Sequence, residues 1–233
     1  MFLQRAAAYA RSVRQQPRTA TQVTAPELLA PSPWLQIWTR PRAAIRGVVD
    51  QGRLLAAALL SVGSGVVQSL VTGANHQVGA RFTAPVILLI AVGVGTLWGL
   101  FQLSVLAGLL YIVARWTGSA VPFRQLWTAL GWANVPQCAA LALWLIGTLI
   151  LGRSLYLDPE VVGATAPLSA LLIGLVALAT GICWIWWAVI VVKGVAEVHH
   201  VSAWAGLGHV LGAFAILMVA AIVLVPIAIL MSR

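Results

Sequence analysis

Five apolar runs, none containing an Asp, Glu, Lys or Arg, constrain this chain more than any other feature: Leu54–Thr72, Pro85–Ala114, Leu126–Leu151, Pro167–Val192 and Ala203–Met231. About 20 apolar helical residues cross the roughly 30 Å hydrocarbon core of a bilayer, and each run is close to that length or longer. In lipid the backbone has no water to bond with, so a crossing segment is a helix or a strand of a closed barrel. Barrel strands alternate in polarity over about ten residues, and these runs do not. The runs predict an all-α integral membrane protein with five transmembrane helices. Charged residues make up only 8% of the chain, against about 25% in soluble domains. The expected division is a basic tail and Pro-containing linker over 1–33, followed by one membrane domain over 34–233.

The net charge of +9 is carried at the span ends and is not a nucleic-acid signature. Arg5, Arg11, Arg14, Arg18, Arg40, Arg42, Arg46 and Arg53 precede the first run; Arg115, Arg124 and Lys193 lie in even-numbered loops. Only Arg81, Arg153 and Arg233 fall on the other side. Because Lys and Arg accumulate on the cytoplasmic side, the N-terminus is expected inside and the C-terminus outside.

Residues 2–16 place Phe2, Ala6, Tyr9, Ala10 and Val13 on one helical face and Arg5, Arg11 and Arg14 toward the other. A surface helix on anionic lipid, an organelle transit peptide and a solvated basic tail all fit this pattern. Pro17, Pro26, Pro31 and Pro33 mark a linker. Trp34 and Trp38, one turn apart, suit the headgroup level. Pro41 suits a first helical turn, and Ala44, Ile45, Val48 and Val49 form an apolar stripe, with Arg42, Arg46 and Arg53 toward water. Arg46 and Asp50 form an i,i+4 pair. Residues 41–53 thus read as a basic amphipathic interfacial helix leading into the first span.

Small residues recur every four positions at Ala91, Gly95 and Gly99, with Ser104 and Gly108 further on, at Ser61 and Gly65, and at Gly208 and Gly212. In lipid such spacing lets helix backbones approach closely, either within the bundle or at a homodimer seam. Pro136 is expected to interrupt the third span, with Asn134 and Gln137 satisfying freed backbone groups. A substrate site at the broken helix is the alternative. No span holds a carboxylate to carry a proton or cation, which disfavours a coupled carrier.

Cys138 and Cys183 lie inside spans and read as small buried side chains. Lys193 to Trp204 is the densest polar stretch and reads as the last cytoplasmic loop. Glu197 and His200, three apart, would share a helix face, a spacing found in helical metal sites. A di-metal site needs several more carboxylates beside Glu197, and the sequence has only five acids, spread along its length, so Glu197 is expected to be structural, paired with Lys193, Arg115 or Arg124 or capping the fifth helix. His76, His199, His200 and His209 are the histidines through which a metal or pigment would bind. Ser202 is a plausible N-cap for the fifth span. No nucleophilic triad or phosphate loop appears, and neither an enzyme nor a cofactor is expected.

The run Ala196-Glu197-Val198-His199-His200-Val201-Ser202-Ala203-Trp204 resembles the cytoplasmic loop of the Yip domain family. Trp38-Thr39-Arg40-Pro41-Arg42, ahead of the first span, and Ala129-Leu130-Gly131-Trp132-Ala133-Asn134-Val135-Pro136 resemble that family's corresponding segments, over about residues 34–230. The resemblance implies a small five-span membrane protein; eukaryotic members interact with Ypt/Rab GTPases and act in vesicle traffic. Thirteen Arg against one Lys suits a GC-rich bacterial genome, and hence the prokaryotic type and a bacterial inner membrane. Three readings follow: a non-enzymatic protein that binds or organises membrane protein partners or lipids, with homo-oligomerisation a further option; an accessory subunit of a respiratory or photosynthetic complex; and a transporter or channel around Pro136.

Overall fold

A computed structural model describes residues 32–119 and 121–231. The amphipathic segment expected at 2–16 and the prolines at 17, 26 and 31 lie outside the described residues. Two short helices come first, α1 (Pro33–Thr39) and α2 (Pro41–Asp50). The spans follow as α3 (Leu54–Asn75), α4 (Ala84–Trp116), the pair α5 (Phe123–Ala133) and α6 (Val135–Leu151), α8 (Pro167–Val198) and α9 (Ala203–Met231). A short helix, α7 (Pro159–Thr165), precedes α8. Five helical segments are long and apolar enough to cross a membrane, and the fold is the expected all-helical one.

The spans alternate in direction, so the bundle has two ends. The basic end gathers α1, α2 and the turns after α4 and α8; the far end gathers the turns after α3 and α6, with α7. Three helices stop at the basic end with the same geometry. After α2, Gly52 has φ 61° while Arg53 N donates to Val48 O; after α4, Gly118 has φ 79° while Ser119 N donates to Ala114 O. After α8, His200 has φ 55° while Val201 N donates to Ala196 O. A left-handed residue one past the C-cap lets the next N–H turn back onto an orphan carbonyl.

The interior begins at α3 and α4, the most extensive helix pair. A Cβ on Gly65 would lie 2.6 Å from Gly99 N, one on Gly95 would lie 2.6 Å from Val66 N, and one on Gly99 would fall on Ser61 O. Only glycine permits this approach, and the van der Waals contact it allows is what joins helices in lipid. The buried stripe on α4 continues through Leu103 and Ala107. Ser104 is exposed and Gly108 has open space around it, so neither belongs to the seam. On α9, Gly212 packs on Val113, but Gly208 is exposed; Gly206 makes the close approach instead, to Ala196 and Val192 O.

The third span breaks at Asn134, two residues before Pro136. Pro136 sits in the first turn of α6, where its missing N–H costs no helical bond. The fourth helix continues to Val198, six residues beyond the expected end of the run. Gly194 to Val198 are buried, with Gly194 in contact range of Ile45 of α2, so protein packing rather than lipid extends this helix.

Candidate functional site

The basic end is organised by α2. Its apolar stripe, Ala44, Ile45 and Val48, is fully buried against α5 and α8. The helix therefore lies on the end of the bundle with its polar face outward. Pro41 occupies its first turn and is buried. Trp38 packs on the same core, and Trp34 meets Trp132 near the end of α5, with ring centroids 5.2 Å apart. Burying aromatic area at this junction ties α1 to the half-helix α5.

Two arginines of α2 hold the turn that joins the last two spans. Arg42 Nη2 donates to Val201 O at 3.0 Å. Arg46 Nε donates to Glu197 Oε1 at 2.6 Å, and the same carboxylate oxygen takes Arg46 Nη2, the one ion pair among the described residues. Glu197 is 8% exposed at its side chain and Arg46 is 67% exposed. The expected partners of Glu197 were Lys193, Arg115 and Arg124. The helix does not stop at Val192, and this turns Glu197 inward toward α2 instead. Arg46 likewise bonds to Glu197 and not to Asp50.

Glu197 and His200 do not share a helix face. The left-handed backbone at His200 ends α8, leaving His200 exposed while Glu197 is buried. The metal-type spacing is thus broken by the cap itself. Trp204 is exposed, and Ser202 Oγ accepts from Ala205 N at 3.2 Å, as expected of an N-cap.

A histidine pair was not foreseen. His199 stacks on His209 with centroids 4.6 Å apart. His209 Nε2 lies 2.9 Å from Thr117 Oγ1 and its Nδ1 lies 2.8 Å from Ala205 O, linking the ends of α4 and α9. Neither ring nitrogen of buried His199 has a hydrogen-bond partner among the described residues. Burial holds its imidazolium down to about 4, with His209 adding to the effect. His199 is thus a neutral packing group near neutral pH. His76 is exposed at the far end.

Deeper in the bundle, the helix break is closed by side chains. Asn134 Nδ2 donates to Ser61 Oγ at 3.0 Å, Trp187 Nε1 donates to Asn134 Oδ1 at 2.9 Å, and Ser61 Oγ donates to Ala57 O at 2.9 Å. One amide therefore joins the first, third and fourth spans. Gln137, expected to help here, is wholly buried, and neither amide atom has a partner among the described residues.

A Yip1 domain family model matches residues 35–225. The chain belongs to the Yip1 domain family. The match runs from α1 into the last span and includes both halves of the Arg46–Glu197 pair. It makes the expected family resemblance a finding. No curated protein and no solved structure matches the chain. Within this Yip1 domain, the residues singled out from sequence divide into two groups. Trp38, Pro41, Arg42, Glu197 and the turn to Trp204 come together at the basic end, whereas Asn134 and Pro136 sit inside the bundle. Lys193 is half-buried on α8 with no ion-pair partner among the described residues.

Proposed function

We propose that this Yip1 protein is a non-enzymatic membrane protein that uses its basic end to bind or organise partner membrane proteins or anionic lipids. The supporting observation is the fixed platform made by α2 and the α8–α9 turn. Arg40, Arg53, Arg115 and Arg124 are exposed around it, and Arg46 keeps most of its side chain in solvent while paired. A basic rim held on a rigid frame attracts anionic headgroups, each cation near the surface contributing about 1 kcal/mol. The excess of Lys and Arg at this end supports a cytoplasmic orientation, and the Arg-rich composition supports a bacterial inner membrane. The space at the helix break is about 20 Å³. That is room for about one water, and it supports a packed junction over a substrate path.

The test is mass spectrometry of the gently solubilised full chain, beside a variant with Arg40, Arg53 and Arg124 changed to Gln. Retention of a stoichiometric membrane protein or of phosphatidylglycerol, reduced in the triple variant, supports the reading. A bare monomer, indifferent to the three substitutions, overturns it. Recovery inside a respiratory assembly, unchanged in the variant, replaces it with the accessory-subunit reading.

A further inference from the structure

The far end holds a cavity of about 470 Å³ between α3, α6 and α8, with the turn before α7 at its mouth. That volume lies within the roughly 300–1,000 Å³ range of ligand pockets. We propose that it binds an amphiphile with an ammonium head. This is independent of the role assigned to the basic end.

Depth supports an alkyl body. Ile173 and Trp184 both line the cavity on α8, and eleven residues of helix rise about 16 Å. That is about half of the roughly 30 Å hydrocarbon core, the depth of one leaflet. Val71, Ile173 and Val176 make the wall apolar. Gly181 also lines it, and nothing lies within 4 Å of where a Cβ there would sit, so this side stays open.

Charge supports the head. Among the described residues, Asp158 is the only charged one in the lining, with no Arg, Lys or His beside it. Its carboxylate is held in place: Oδ1 accepts from Glu160 N at 2.9 Å and Oδ2 accepts from Gln77 Nε2 at 3.1 Å. A carboxylate offers about four acceptor sites, so two remain for a ligand. Trp144 Nε1 donates to Thr180 Oγ1 at 3.0 Å, which fixes one aromatic wall, and Trp184 closes the deep end. A cationic head gains from the carboxylate, whereas an anionic head is repelled. The ammonium group can come from a membrane lipid such as phosphatidylethanolamine or from a free long-chain amine.

Native mass spectrometry of the full chain in a neutral maltoside detergent tests this with stearylamine, octadecanol, phosphatidylethanolamine and phosphatidylglycerol as separate additions. One stearylamine should be retained per chain, up to about fivefold better than octadecanol, the preference expected of a partly screened charge pair. Asp158→Asn should abolish that preference. Ala177→Trp, on an exposed position of the lining, should fill the cavity and abolish retention itself. Phosphatidylethanolamine retained over phosphatidylglycerol identifies a lipid source, and stearylamine retained alone identifies a free amine. Equal retention of stearylamine and octadecanol, or full retention in Ala177→Trp, overturns the proposal. Should Asp158→Asn fail to fold because Asp158 caps α7, the headgroup comparison on the unchanged chain and Ala177→Trp still decide.

Discussion

Arg46 and Glu197 stand 151 residues apart in sequence and meet at the end of the bundle, one on the interfacial helix and the other at the close of the fourth span. The pair is asymmetric: its acid is buried and its base is mostly in solvent. Removing either partner therefore has a different cost.

Arg46→Gln leaves a buried carboxylate without its strongest donor, a loss of about 1–3 kcal/mol. Glu197→Gln keeps an acceptor for Arg46 and frees a cation that water already reaches, a loss below about 1 kcal/mol. Unfolding of both variants in detergent measures the difference. Equal losses would show that the buried acid does not depend on Arg46.

The seam of α3 and α4 carries a second stability prediction. Gly95→Leu and Gly99→Leu would drive a side chain into the Gly65 and Ser61 backbone. Over-packing costs about 1–3 kcal/mol, and here the neighbouring atoms are backbone that cannot rotate away. Gly108→Leu, with open space at its position, should leave stability near the parent value. Thermal unfolding of the three variants side by side checks both halves of the statement.

Low pH should weaken the basic end through His199. Its folded value is about 4 against an ordinary 6.5. Between those values the unfolded chain binds the extra proton, so stability rises with pH there. The contribution is complete above about pH 6.5 and is lost as pH falls toward 4, up to about 3 kcal/mol. His199→Phe should flatten this slope in a denaturation series against pH. An unchanged slope would move the effect to other groups.

Orientation follows from the distribution of arginine and is checked by labelling. With the basic end in the cytoplasm, an impermeant thiol reagent added to intact cells should modify Glu160→Cys at the far end and spare Thr39→Cys. Both positions are exposed. Labelling of Thr39→Cys alone would invert the assignment.

Local patterns in the amino-acid sequence specify the class of fold, the five spans and the small-residue stripes that permit close helix contact. Each rests on local chemistry: apolar length against bilayer thickness, and glycine spacing along one helix. They also locate the interruption near Pro136 and the interfacial helix after Pro41, because proline and amphipathic periodicity act within a few residues. The partner of Glu197, the separation of Glu197 from His200, the His199–His209 stack and the cavity below Asp158 were decided only by tertiary structure. The first three depend on how far α8 continues past its apolar run, where the stripe of α2 packs on it, and the cavity depends on how α3, α6 and α8 come together at the far end. A pattern within one segment carries no record of burial supplied by another segment some 150 residues away. Glycine spacing likewise marks where a close approach is permitted, while the neighbouring helix decides that Gly99 and Gly206 use it and Gly108 and Gly208 do not.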